Sequence, residues 1–208
     1  VEGRTIVGVG HSFGGCTQSL VAYTVPALFS ALVLLDPVIA PPGEPVVDDK
    51  GSFAYGALSR REAWPSREEA LRLLGGSPFF GAWDPEVLKL YVDYGLVEDA
   101  KGGVRLKTSG VQEAATFSDT WLRYEMWGAM PKIEERIALR WLSPKDAKES
   151  MGKIEEIEQQ RVWVRPTNAS NVRVMGATHL MVQERPREVA DAIHSFLVER
   201  YGTMQARL

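Results

Sequence analysis

The chain has 208 residues, 45% of them hydrophobic, which is enough for one sizeable core and one domain with an insertion. A net charge of −3 and an isoelectric point near 5.7 leave no basic footprint for nucleic acid or an anionic membrane surface, so neither is expected as a partner. The single cysteine, Cys16, excludes an intrachain disulfide framework and suits a reducing compartment, and no apolar run reaches transmembrane length.

The first organised stretch is Thr5 to Gly15. Ile6, Val7 and Val9 form the short β-branched run of a buried parallel strand, and it stops at Gly10-His11-Ser12-Phe13-Gly14, a Gly-x-Ser-x-Gly pentapeptide. In such a strand-to-helix turn the serine takes a strained backbone conformation, and side chains at the two flanking glycines would collide with the neighbouring strand and helix. Ser12 is thereby lifted above the sheet edge as a candidate nucleophile. The Phe13 backbone N–H, at the positive end of the following helix, can donate to an oxyanion. The helix runs to about Tyr23 with Cys16 as a small packed residue, and Val25-Pro26 ends it. Ala31 to Leu35 is then a continuous apolar strand leading to Asp36-Pro37. A carboxylate there lies in the right layer for chemistry, but Asp before Pro also makes a turn, and the turn is the reading favoured at Asp36.

From Pro41 to about Glu135 the pattern changes, beginning with the loop Pro41-Pro42-Gly43-Glu44-Pro45. Helices are expected from Ser66 to Leu74, with Ser66 and Glu69 as a capping box, and from Asp84 to Tyr94, with Asp84 as cap and Pro85 in the first turn. Lys101-Gly102-Gly103-Val104 reads as a hairpin turn, and Thr116 to Ala129 carries Phe117, Trp121, Tyr124 and Trp127 at near-helical spacing. Twelve of the nineteen aromatic residues fall in this segment, so it can fill a small core of its own. If it packs over the Ser12 turn, the same residues favour an apolar or acyl substrate.

The sheet resumes at Ile137 to Leu142, followed by Ser143-Pro144-Lys145-Asp146, and Met151 to Gln160 reads as a charged surface helix. Asn171 to Met175 is the last strand, left through Gly176-Ala177-Thr178-His179. Of the three histidines, His11 lies inside the turn beside Ser12. His194 points away from the apolar face, Val189, Ile193, Phe196 and Leu197, of a helix from Pro186 to about Tyr201. Only His179 leaves a strand on a loop; alone it would read as an ordinary loop histidine, and it becomes the candidate general base only with Ser12 upstream and an acid between them. No His, Cys or carboxylate cluster has metal-ligand spacing, and neither metal nor cofactor is expected. The tail ends Ala206-Arg207-Leu208, a small, a basic and a leucine residue. This is a variant of the Ser-Lys-Leu peroxisomal address, so an import receptor is an expected partner and the peroxisome the expected location, with the cytoplasm otherwise.

Gly10-His11-Ser12-Phe13-Gly14-Gly15, Asp36-Pro37 and Gly176-Ala177-Thr178-His179 together resemble the α/β-hydrolase superfamily. Arg60 to Glu69 and Ser77 to Pro85 look like the cap of a fungal subgroup that includes peroxisomal lipase-like and toxin-biosynthesis hydrolases. The resemblance implies an α/β fold: the C-terminal part of a mostly parallel sheet with a helical cap insertion. Core segments 1–40 and 136–203 would then flank a cap at 41–135, with a targeting tail at 204–208. In this family the strand corresponding to Ile137–Leu142 ends in a loop whose Asp orients the histidine, and Asp146 fits that slot. Ser12, Asp146 and His179 then follow the family's chain order, and His11 serves packing and support. Some lipases of this fold place the acid after the earlier strand, which keeps Asp36 as the alternative. The family's early strands, and the loop that supplies a second oxyanion donor, would precede Val1, so the chain reads as a fragment or truncated product.

The activity implied is that of a serine hydrolase cleaving a carboxylic ester or thioester with an apolar acyl part through an acyl-enzyme. The alternatives are a non-catalytic binding protein of the same fold and a hydrolase of a secondary-metabolite pathway. Ser12 at the turn disfavours the aspartate-nucleophile chemistry that epoxide hydrolases and haloalkane dehalogenases run on this fold.

Overall fold

The computed structural model describes residues 5–42, 52–119 and 121–202; the tail tripeptide and residues 43–45 of the proline-rich loop lie outside them. In chain order the first stretch holds β1 (Val7–His11), α1 (Phe13–Thr24) and β2 (Ala31–Leu35). The second holds α2 (Phe53–Ser59), β3 (Ala63–Trp64), α3 (Arg67–Gly75), α4 (Pro85–Gly95), β4 (Leu96–Glu98), β5 (Val104–Leu106) and α5 (Gly110–Phe117). The third holds α6 (Trp121–Ala129), β6 (Ala138–Pro144), α7 (Glu155–Val162), β7 (Ala169–Val174), α8 (Met181–Glu184) and α9 (Pro186–Tyr201). The first and third stretches make one compact unit and the second makes another.

The larger unit is built on a parallel sheet of order β1-β2-β6-β7. All five residues of β2 are buried, as a central parallel strand requires, and the two-residue period sends them to opposite faces. Leu32 and Leu34 join Leu139, Trp141, Cys16, Ala22, Met126 and Ala129, so α1 and α6 cover that face. Ala31, Val33 and Leu35 join Ala138, Leu142, Val174, Met181, Val189 and Phe196, so α8 and α9 cover the other. This is the mostly parallel sheet of the α/β-hydrolase fold, carrying a helical insertion. His194, on the outer side of α9, is exposed.

The smaller unit is a three-stranded antiparallel sheet, β3-β5-β4, with short helices around Trp64, Leu74, Leu88, Val92, Leu96 and Leu106. The hairpin at Lys101–Val104 forms as read, with Gly102 and Gly103 at φ 92° and 82°, a region that favours glycine. Asp84 caps α4 by accepting from Glu86 N at 2.8 Å and Val87 N at 3.3 Å. The box at the start of α3 is only half built. Ser66 Oγ accepts from Glu69 N, while the Glu69 carboxylate goes to Arg72 instead; the reciprocal box forms at Ser109 and Gln112.

The aromatic stretch from Thr116 to Ala129, at near-helical spacing in the sequence, is divided between two helices. α5 stops at Phe117, with Ser118 as its C-cap, and α6 starts afresh at Trp121 within the larger unit, so that unit resumes before residue 135. α7 does lie at the surface, with Glu155, Glu156, Gln159 and Gln160 exposed, but Glu158, Arg161 and Val162 are buried together on its other face.

The crossing from β1 into α1 is closest at Gly10. A Cβ there would lie 2.6 Å from Gly14 O and 2.7 Å from Gly15 Cα, and one on Gly15 would lie 2.9 Å from both Gly10 O and Pro37 Cβ. A Cβ on Gly14 meets nothing within 4 Å, so the second crowded glycine is Gly15 rather than Gly14. Gly10→Ala and Gly15→Ala are each expected to cost about 1–3 kcal/mol through overpacking against backbone. Gly14→Ala should be neutral or stabilise by up to about 1 kcal/mol through helix propensity. Denaturant midpoints for the three variants check this ranking.

Candidate active site

Parallel strands end at one edge of the sheet, and there the chemistry-bearing residues gather. Ser12 follows β1 and caps α1 at φ 55° and ψ −123°, a left-handed conformation that a serine adopts only under constraint. The constraint is visible. Ser12 N donates to Leu35 O at 3.0 Å, and Ser12 O accepts from Gly15 N, Cys16 N and Val38 N at 3.1, 3.2 and 3.1 Å. Phe13 opens α1, so its N–H is among the first-turn donors that have no intrahelical acceptor.

His179 brings the site together. Its Nε2 lies 2.9 Å from Ser12 Oγ and its Nδ1 2.7 Å from Asp36 Oδ2. The loop that carries it is braced by Glu184, which accepts from Thr178 N at 2.7 Å and Thr178 Oγ1 at 2.8 Å. Gly176, at φ 61°, makes the turn out of β7, and Arg185 Nε donates to its carbonyl at 3.2 Å. His11 Nε2 lies 2.7 Å from His179 O. Burial first, and then the neighbouring His179, lower the pKa of His11, so it is neutral and carries its proton on Nε2 to donate to that carbonyl. His11 thus supports the base through its main chain.

The acid facing His179 is Asp36, not Asp146. β6 runs two residues past the β2 register, pairing Ser143 and Pro144 with β7, and only then turns. Asp146 does not face His179 and caps a short 3₁₀ turn, accepting from Lys148 N at 3.1 Å and pairing with Lys148 Nζ at 3.3 Å. Its side chain is 57% exposed, whereas that of Asp36 is fully buried. Asp36 does bend the chain before Pro37, as the turn reading has it, and its side chain is engaged as well. The residue sits at φ 39°, and its carboxylate accepts from Met151 N at 3.0 and 3.2 Å as well as from His179. The loop after β6 therefore serves the acid by a backbone N–H instead of supplying it.

Behind Asp36 lies a group that periodicity did not reveal. Arg161 Nη2 donates to Asp36 Oδ1 at 3.1 Å and to Pro37 O at 2.6 Å, its Nε donates to Ile39 O at 2.8 Å, and its Nη1 pairs with Glu158 Oε2. Burial on its own raises the Asp36 pKa. The hydrogen bond from His179, the Arg161 charge and the Met151 N–H outweigh that and hold the carboxyl below its ordinary value. Among the described residues no group of three or more His, Cys, Asp or Glu could hold a metal ion, and no helix is long and apolar enough to cross a membrane.

The model of the alpha/beta hydrolase family matches residues 1–192. The chain belongs to this family. Within it, the chain is 38% identical over 124 residues to the abhydrolase domain-containing protein AFT2-1 of Alternaria alternata, a match covering 55% of this chain and 44% of that protein. It is 48% identical over 71 residues to a type I acyl-CoA thioesterase, mpaH, of Penicillium brevicompactum, which covers 33% of this chain and 16% of that one. Among solved structures, the peroxisomal alpha-beta-hydrolase Lpx1 of Saccharomyces cerevisiae superposes with a TM-score of 0.76 at 18% identity, over 99% of this chain and 56% of that one. The chain thus spans under half the length of AFT2-1 and little more than half of the yeast structure.

The lowered pKa of Asp36 makes a stability prediction. A carboxyl held below its ordinary 3.8 contributes stability that is complete above that pH and is lost as pH falls through the folded value. Asp36→Asn is expected to cost about 3–5 kcal/mol near neutrality, since it breaks a buried ion pair. That deficit should hold down to roughly pH 5 and shrink below roughly pH 4. Urea denaturation of both proteins across this range tests the sign; a deficit that widens on acidification would contradict it.

Proposed function

We propose that the protein is a serine hydrolase that cleaves a carboxylic ester or thioester with an apolar acyl part. The observation that carries the reading is the continuous chain Ser12 Oγ, His179 Nε2, His179 Nδ1, Asp36 Oδ2, with links of 2.9 and 2.7 Å. Ser12 attacks the carbonyl carbon while His179 takes its proton and later returns it to the leaving group. Buried Asp36 fixes the imidazole with its proton on Nδ1 and stabilises the imidazolium; water, activated by the same histidine, then releases the acid from the acyl-enzyme. The Phe13 N–H supports the oxyanion. The similarity to a named acyl-CoA thioesterase over 71 residues supports a thioester as one substrate type. The strained φ of Ser12 supports the reading too, because strain of this kind collects where a reacting group must be presented.

In the full-length protein a fluorophosphonate probe is expected to label Ser12, and Ser12→Ala to abolish labelling. Asp36→Asn should lower kcat about 10⁴-fold through the wrong histidine tautomer. Asp146→Asn, an exposed change, should leave kcat within about threefold. An absence of labelling favours a non-catalytic binding role, and a larger loss at Asp146 than at Asp36 would return the acid to the loop after β6.

The peroxisome is the proposed location, on the strength of Ala206-Arg207-Leu208. A fluorescent protein carrying Met204 to Leu208 at its C-terminus should collect in peroxisomes and become cytosolic without Leu208. Diffuse fluorescence from the intact tail would sink the proposal.

A further inference from the structure

We infer that Arg161 is a positioning residue for the reaction: it holds the Asp36 carboxylate in the rotamer that His179 reads, and Glu158 holds Arg161. The inference rests on the serine-hydrolase reading and extends it to a helix outside the three reacting residues.

Three observations carry it. First, Arg161 has no exposure to water, nor has Asp36 or Glu158, so their charges are compensated almost entirely by one another and by fixed dipoles. Second, two of the three guanidinium nitrogens, Nε and Nη2, are committed to the segment that follows β2. They bond Asp36 Oδ1, Pro37 O and Ile39 O, so one rigid plane sets both the acid's side chain and the path of the backbone leaving it. Third, the two oxygens of Asp36 are divided. Oδ1 goes to Arg161 and Oδ2 to His179, while Met151 N lies 3.2 Å from the first and 3.0 Å from the second. Rotation of the carboxylate would have to break the guanidinium bond before it released the imidazole. Glu158 completes the arrangement from one turn earlier on α7; its Oε2 meets Arg161 Nη1 and accepts from Ser150 Oγ at 3.0 Å.

A salt bridge that served folding alone would not need to end on the carboxylate that faces His179. Here the fork locks the χ angles of a group that must stay within a fraction of an ångström of Nδ1, and misplacement of about 1 Å in such a chain can cost about 10²-fold in rate.

The test uses the full-length protein and an ester substrate that it turns over. Arg161→Met leaves Glu158 buried without its partner, so it is paired with Glu158→Gln. This double variant is expected to lower kcat about 10²-fold with KM unchanged. Built into Asp36→Asn, the same pair should lower kcat by less than about threefold further, because it acts through an acid that is already gone. Arg161→Lys, which keeps the charge and loses the fork, should fall between wild type and the double variant. The acid limb of kcat/KM should move to higher pH in the double variant and stay in place in Arg161→Lys. The charged and titratable groups that face Asp36 are His179 from the loop after β7, His11 from β1, and Arg161 with Glu158 from α7.

Wild-type kcat in either Arg161 variant overturns the inference, as does an undiminished loss in the Asp36→Asn background, which would mark a general packing role. Should the double variant not fold, Arg161→Lys decides alone. A wild-type protein that the fluorophosphonate leaves unlabelled overturns the hydrolase reading and this inference together, whereas a labelled wild type with indifferent Arg161 variants overturns this inference only.

Discussion

A carboxylate with no access to water must find its compensation within the protein, and the sheet's active edge is arranged around that requirement at Asp36. An imidazole, a guanidinium and a main-chain N–H converge on its two oxygens from three separate segments of the chain. The guanidinium needs a second anion, Glu158, and two carbonyls, and Glu158 in turn takes the Ser150 hydroxyl. A network of this kind adds little stability over a well-packed apolar substitute, yet removal of one member costs about 3–5 kcal/mol because a charge is left stranded. Its presence is better explained by orientation than by stability.

The backbone makes a matching investment. Ser12 and Asp36 both sit at positive φ, immediately beyond neighbouring parallel strands, at about 1–3 kcal/mol each for non-glycine residues. Ser12 N and Asp36 N each continue the ladder by donating to the adjacent strand, at Leu35 O, the last residue of β2, and at Leu142 O, within β6. The sheet therefore extends one hydrogen bond past its strands before each chain turns, and both side chains leave from a rigid base. The histidine arrives from β7, two strands away from β2, on a loop held at two adjacent residues: by Glu184 at Thr178 and by His11 at the carbonyl of His179.

Elements with a strong local signal were legible in the sequence. The run from Ala31 to Leu35, the Asp84 cap before Pro85 and the glycine pair at 102 and 103 form as their chemistry dictates. The pairing of Ser12 with His179 followed from a motif and a chain order. The choice between Asp36 and Asp146 did not, because both leave a strand and both suit a turn. What separates them is how far β6 overshoots β2, a matter of register between strands 107 positions apart that no local pattern encodes. Arg161 was hidden for another reason. In the sequence Glu-Glu-Ile-Glu-Gln-Gln-Arg-Val the buried face is itself charged, so an argument from apolar periodicity places the helix in solvent. The faint signal was Glu158 and Arg161 three apart, on the same side as Ile157 and Val162.

Asp36 and Arg161 are separated by 125 positions, and the whole smaller unit lies between them. A ribosome adding about 5–20 residues per second would deliver the arginine on the order of ten seconds after the aspartate. During that interval β1, α1 and β2 are already made, but the acid at the end of β2 has neither counter-charge nor histidine, and water is the only medium in which it can remain ionised. The edge of the nascent sheet must accordingly stay open until α7 and the loop after β7 have been synthesised. In this fold the site that carries the charge is completed last, and its closure couples the two ends of the chain.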